Sequence, residues 1–201
     1  MAATMTTFAD LITQVNELTV RPDLTADTIA AIKTATLWAH SSDFYPKDIF
    51  EVPLTFSSPA TLQEFEYRTS IPRWRALKYF RLFDFTTDTP GNFFDVLDPT
   101  DTVDSYGIHR TNVCYLAGEL LKFRGAEDIS GGLLGCYIHP DIAQATYESW
   151  IANENMFVVA YKAASTVLRT IGFQDRAKAL DAEAREQLLL LSRSNILAIG
   201  E

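Results

Sequence analysis

The sequence predicts a mainly α chain with a β-rich insertion, an α+β class. Its N-terminal and C-terminal helix pairs form a helical bundle, with short antiparallel strands between them. Three observations carry this. Apolar residues recur at three- and four-residue steps near both ends of the chain, the period of one helix stripe. Prolines at 53, 59, 72, 90, 99 and 140 punctuate the middle and cut it into segments unsuited to long helices. The segments between them are rich in β-branched and aromatic residues, which favour strands.

The first helix is marked by Phe8, Leu11, Ile12, Val15 and Leu18, with Thr6 or Thr7 as its cap and Arg21-Pro22-Asp23 as its end. A second starts after Thr25, holds Asp27 in its first turn and runs through Ile29, Ile32, Thr36 and Leu37 to about His40. Strands are expected at Ile49 to Val52, Leu62 to Tyr67, Leu77 to Phe83 and Val113 to Leu116. Glu119 to Arg124 and Leu133 to His139 flank a turn containing Gly125, Gly131 and Gly132 and read as a hairpin. The helical period returns from Tyr147 to Ile171 and, past Gly172, from Gln174 to about Arg193, with Phe173, Ala177, Leu180, Ala184, Leu188 and Leu191 as an inward seam. Neither helix pair has a second surface on which to bury its stripe, so the two must close one bundle. The expected organisation is a helical core over residues 1–47 and 143–193, a β-rich insertion over 48–142 and a C-terminal arm over 194–201. The arm keeps Ile196, Leu197 and Ile199, a greasy end that argues for docking on its own domain or on another subunit.

At 201 residues the chain can bury roughly 70% of the surface its unfolded form exposes, which favours one well-cored domain carrying an insertion. A net charge of −9 disfavours general nucleic-acid binding, because duplex affinity depends on basic side chains displacing counterions. No apolar run approaches the roughly 18 residues of a membrane span, so no membrane partner is expected. The first ten residues lack the charged flank and apolar stretch of an export signal. Cys114 and Cys136 are too few for a disulfide framework and are read as buried thiols folded in a reducing cytosol.

The search for chemistry yields little. His40, His109 and His139 fall in three different predicted elements and show no one-turn spacing for a metal. Gly131-Gly132-Leu133-Leu134-Gly135 lacks the lysine and following helix of a phosphate-cradling loop. Arg73, Arg75, Lys78 and Arg81 alternate with Trp74, Tyr79 and Phe80, and six aspartates follow from Asp84 to Asp104. The two charge blocks can pair or stand solvated. The basic one also has the residue types of a single-strand stacking surface or a protein contact. Asp98, Asp101 and Asp104 step by three without the glycine or terminal glutamate of a calcium loop. A small metal-dependent enzyme using the Asp95–Asp104 segment, with His109 or His139, is the rival reading; no catalytic, cofactor or metal residue is assigned.

Several segments in order are similar to the head-to-tail adaptor (head-completion or connector) proteins of tailed bacteriophages: Trp38-Ala39-His40-Ser41-Ser42-Asp43-Phe44-Tyr45-Pro46, Ile71-Pro72-Arg73-Trp74-Arg75, Gly118 to Arg124 with Leu134 to Pro140, Ser149-Trp150-Ile151-Ala152, and Ala163 to Gly172 followed by Ala177 and Glu183. The likeness spans about residues 40 to 195. It implies a structural virion protein without catalysis or cofactor, a bundle with a β-rich insertion forming a ring of about twelve copies beneath the portal. Such a ring extends the DNA channel, lets DNA pass without specific binding and offers the tail its platform. The implied partners are the portal, tail tube, nozzle or fibre proteins, and the chain itself; the implied place is the virion neck, after assembly in the host cytoplasm. Another neck, stopper or tail-completion role on a related scaffold is the neighbouring alternative. On this reading Leu189, Leu190, Leu191, Ile196, Leu197 and Ile199 are the candidate portal-binding residues, and Arg73, Trp74 and Arg75 the candidate subunit interface.

Overall fold

The computed structural model describes residues 5–56, 61–103, 107–125 and 131–199, with side chains up to Ser194. In chain order the elements are α1 (Phe8–Thr19), α2 (Thr25–Ser41), β1 (Ile49–Thr55), β2 (Gln63–Glu66), α3 (Tyr67–Ser70), β3 (Trp74–Asp84), β4 (Thr89–Phe93), β5 (Asp95–Val96), β6 (Val113–Ala117), β7 (Leu120–Arg124), β8 (Gly131–Ile138), α4 (Trp150–Glu154), α5 (Met156–Thr170) and α6 (Gln174–Ile199). Residues 1–47 and 139–201 make one compact unit, and residues 48–138 another.

In the helical unit α1 starts at Thr7, whose hydroxyl accepts from the Asp10 amide while the Asp10 carboxylate accepts from the Thr7 amide and hydroxyl. This reciprocal box satisfies donors that the first turn would otherwise leave open. It also holds the Asp10 carboxyl below the usual carboxylate range, the Thr7 hydroxyl contributing most. The buried stripe of α1 is Phe8, Leu11 and Val15, and α2 meets the same core with Ala31, Ile32 and Ala35. α5 is the central helix, packed against α1, α2, α4 and α6. Ala163, Ala164, Ala177 and Ala184 are fully buried, and their small side chains let α5 and α6 approach closely enough for the Ser165 hydroxyl to donate to the Ala177 carbonyl at 2.7 Å.

Three details of the helical reading change. The helix expected from Tyr147 to Ile171 is two, because Asn155 adopts φ −151° and ψ 92° and its side chain accepts from the Phe157 amide. Asparagine bonding its neighbouring backbone competes with the helix ladder, and apolar periodicity does not register a one-residue break. Phe173, placed in the inward seam, is 57% exposed, since it lies in the turn before α6 where the helical period does not set its direction. The arm expected beyond Arg193 continues α6 as far as Ile199.

The expectation of a helical bundle with short strands between its halves is overturned. The described residues form an α+β chain of six helices and two four-stranded sheets, and β3 alone runs for 11 residues. One sheet is antiparallel in the order β1-β8-β3-β4; the other has the order β2-β7-β6-β5, with β5 parallel to β6. Pro53 and Pro90, read as breaks, lie inside β1 and β4. Both are edge strands, where a missing N–H costs no central ladder bond.

The predicted hairpin of residues 119–124 with 133–139 does not form either, because β7 pairs with β2 and β6 while β8 pairs with β1 and β3 in the other sheet. Gly131, Gly132 and Gly135 are strand residues of β8. A Cβ at Gly132 would lie 2.6 Å from the Phe80 ring and one at Gly135 2.4 Å from the Tyr79 ring, so these glycines leave room for rings from β3. The two sheets share one core, in which Phe80 and Phe123 sit 4.7 Å apart by ring centroids with Leu82, Leu121, Leu134 and Cys136 around them. Cys114 and Cys136 are free and buried, and burial pushes their thiols up to about 12 and about 11.

Candidate functional site

The arrangement most like a catalytic pair lies in the helical unit, where His40 near the end of α2 meets Ser149 with Nε2 and Oγ 2.9 Å apart. Tyr147 and Thr36 share a second hydrogen bond of 2.9 Å beside them. Burial pushes the Tyr147 phenol up, opposed by its hydroxyl partners Thr36 and Ser149. Yet His40 is 1% and Ser149 2% exposed, and no substrate atom can reach either as they stand. The Ser149 hydroxyl also accepts from the Ala152 amide as the cap of α4. The group therefore ties α2 to the segment entering α4. Sequence reasoning placed His40 without a partner, because nothing in the spacing of residues 40 and 149 signals their meeting.

Arg75 faces Asp48 at 4.0 Å with both side chains largely buried, Arg81 lies between the Phe83 and Phe93 rings, and Lys78 stands over the Tyr137 ring. Asp98 accepts from the Thr100 amide and hydroxyl, which hold its carboxyl below the usual range, the amide contributing most. Asp84 is lowered in the same way, first by the Thr86 amide and then by the Thr87 hydroxyl. Asp104 lies outside the described residues. Among the described residues no group of three or more histidine, cysteine, aspartate or glutamate side chains converges as a metal site would. His109 joins Arg110, Tyr115 and Arg124 around a pocket of about 70 Å³ in the β unit, too small for a substrate when ordinary ligand pockets run to roughly 300–1,000 Å³.

A roomier concavity lies in the helical unit, an open groove of about 540 Å³ between the end of α2 with its following loop and the face of α6. Trp38, Tyr45, Leu188 and Leu189 supply its apolar lining, Arg185 and Arg193 its basic groups and Asp43 an acidic one. The Tyr45 hydroxyl links Ser42 at 2.9 Å to Ser192 at 3.1 Å, which fixes the loop against α6. Behind Trp38, Lys162 stands 4.6 Å from the ring centroid and pairs with Asp181. Burial raises the Asp181 pKa, but hydrogen bonds from Lys162 and Arg185 outweigh it and hold the carboxyl below its ordinary value.

Of the residues expected to bind a portal, Leu189 and Leu190 are each 51% exposed on α6, whereas Leu191 is half-buried against the Trp38 and Trp150 cluster. Ile196, Leu197 and Ile199 lie on the last turns of α6, and their side chains fall outside the described residues. Of the expected subunit-interface residues Arg73 is exposed, Trp74 packs on Tyr67 with ring centroids 4.3 Å apart, and Arg75 is engaged with Asp48. The sequence reading missed the exposed apolar side chains of the β unit, Phe93 at 61% and Val96 at 54%. They sit on edge strands β4 and β5, whose other residues are exposed or half-buried, and exposure of a single apolar residue has no sequence signature. No family model matches the chain, and no curated protein matches it. No helix among the described residues is long and apolar enough to cross a membrane.

Proposed function

We propose that this chain is a structural subunit of a tailed-phage virion, a head-to-tail adaptor that joins copies of itself into a ring at the neck. The ring would bind a portal on one side and tail components on the other, with DNA passing through the channel unbound. The resemblance between residues 40 and 195 supports the reading. The observation that carries it is the pair Leu189 and Leu190, adjacent and half exposed on α6, between Leu188 and Leu191, which pack into the core. Apolar groups held at a surface beside a concavity favour a partner that removes them from water. The acidity of the chain, −9 overall, suits a channel wall on which a duplex must not adhere.

The test is to mix the purified protein with portal rings and follow co-migration by size exclusion and ring formation by electron microscopy. Co-migrating rings, lost on Leu189→Glu with Leu190→Glu, support the reading. Persistent failure of the unaltered protein to co-migrate rejects it, and binding to a tail component alone would point to a stopper or tail-completion role instead.

A further inference from the structure

The basic pocket of the β unit takes no part in the ring reading. In the β2-β7-β6-β5 sheet Cys114, Leu121 and Phe123 face the shared core, so strand alternation turns Val113, Tyr115, Lys122 and Arg124 to the opposite face. Arg124 stands opposite Val113 across the β6–β7 pair, and Leu62 lies just before β2, whose Gln63 partners Phe123. The segment after β5 folds over this face. Within it the Arg110 amide donates to the Thr102 carbonyl at 3.0 Å, and Val103 bridges His109. His109 and Arg110 thereby join Thr102, Tyr115 and Arg124 around the pocket of about 70 Å³, with Leu62 and the buried Val113 as its apolar wall.

The charge of this pocket runs against that of the chain. Two guanidinium groups and an imidazole line it, and among its described lining residues there is no carboxylate, in a protein of net charge −9. Glu64, on the neighbouring strand, pairs with Lys122 at 2.7 Å. Asp95, beside Val113 in the β5–β6 pair, and Asp101, next to Thr102, are exposed and do not line the pocket. No described residue hydrogen-bonds or ion-pairs with the side chains of His109, Arg110 or Arg124. Like charges gathered without a counter-ion repel one another, and an anion among them reverses the sign of that interaction. Arginine presents its N–H donors as a planar fork that matches phosphate oxygens two at a time. The Tyr115 hydroxyl supplies a further donor, whereas the Thr102 hydroxyl is engaged with the Pro99 carbonyl. These donors come from two strands and the covering segment, an arrangement suited to tetrahedral oxygens more than to the two of a carboxylate. The space is about that of two waters at roughly 30 Å³ each, room for one phosphate group and for no base or sugar ring.

We infer that this pocket binds a single phosphate-type oxyanion through Arg110, Arg124 and His109, with Tyr115 donating to a further oxygen. The ion ties the segment carrying residues 102–110 to β6 and β7 and offsets the repulsion among the cationic groups. One such slot does not make a track for DNA, because duplex affinity needs many phosphate contacts. The assignment stands whether or not the chain is an adaptor.

Titration calorimetry and thermal unfolding of the full chain with inorganic phosphate test it, against sodium chloride at equal ionic strength. The expected result is saturable binding of one ion per chain, competed by sulfate, with an unfolding midpoint that rises with phosphate and not with chloride. Arg124→Gln and Arg110→Gln are each expected to weaken binding about tenfold or more, the loss of a charge-assisted hydrogen bond. Arg110 is exposed, so its variant serves should Arg124→Gln not fold, with circular dichroism as the check. Two further probes separate the sources of the ion. A nucleoside monophosphate (AMP) that binds through the same arginines identifies a phosphate monoester as the ligand; phosphate binding without AMP binding identifies the free ion. A single-stranded oligonucleotide lacking terminal phosphates that binds more tightly than phosphate would overturn the single-ion pocket in favour of a strand-binding surface. Equal binding of acetate, binding unchanged in the arginine variants, or no saturable phosphate binding also overturns the inference, and none of these bears on ring assembly.

Discussion

Substituting Gly132 by alanine tests the packing of the β unit where β8 meets the Phe80 ring. The added Cβ would lie 2.6 and 2.7 Å from two atoms of the Phe80 ring and 3.2 Å from the Arg81 carbonyl oxygen. Phe80 has nowhere to go: it is fully buried, with the Phe94 and Phe123 ring centroids each 4.7 Å away and Phe56 at 6.5 Å. Overpacking of this kind costs about 1–3 kcal/mol, offset by roughly 0.5 kcal/mol from the reduced freedom of the unfolded chain. Urea denaturation followed by tryptophan fluorescence should show Gly132→Ala less stable by about 1–2 kcal/mol. Gly118→Ala is the control: nothing lies within 4 Å of its Cβ, but its φ of 64° imposes a backbone penalty of about 1 kcal/mol. Phe80→Leu combined with Gly132→Ala should recover part of the loss, a coupling of about 1 kcal/mol in a double-mutant cycle. An unchanged midpoint for Gly132→Ala, or strict additivity with Phe80→Leu, would refute the placement of that ring against β8.

Four further outcomes follow from the helical unit and the thiols. Asp181 has a folded-state pKa below its unfolded value, so its contribution is whole above the unfolded value and is lost as pH falls through the lowered one; Asp181→Asn should be about 1 kcal/mol less stable at neutral pH, with the difference closing in acid, and a difference independent of pH would contradict the pairing with Lys162. Ser149→Ala removes both the α4 cap and the partner of His40 and should lower stability by about 1–3 kcal/mol, read by thermal unfolding. Cys114 and Cys136, with thiols raised by burial, should resist a thiol reagent in the folded protein and react once urea unfolds it; rapid native labelling would contradict their burial. Truncation after Arg193 should leave the helical core intact, since Leu188 and Leu191 are retained, yet weaken co-migration with portal rings; undiminished attachment would remove residues 194–201 from the portal contact.

The helices were legible because their signals are local. Thr7 and Asp10 at a box spacing, Phe8, Leu11 and Val15 on one stripe, and Gly172 at positive φ each act within a few residues. The sheets were less so. Proline density suggested short pieces, but whether Pro53 falls on an edge depends on which strands flank β8, a pairing between residues about eighty apart in the chain. The glycines of β8 looked like turn residues because their purpose, room for Phe80 and Tyr79, belongs to another strand. The same limit governs the surfaces. Leu189 and Leu190 stood out as excess apolar residues, while the groove beside them required Trp38 and Tyr45 to meet α6 across more than 140 residues of sequence. Arg73, Trp74 and Arg75 looked like one surface, but Arg73 lies in the turn before β3, the register shifts between Trp74 and Ala76, and two of the three are engaged within the β unit.

The claim that copies of this chain form a ring at a phage neck is tested most directly by imaging purified virions by electron microscopy, with the polypeptide located by an antibody or a fused tag. The account predicts a closed ring of this chain between portal and tail. A neck density that lacks this polypeptide, or that holds it as isolated copies, would contradict it.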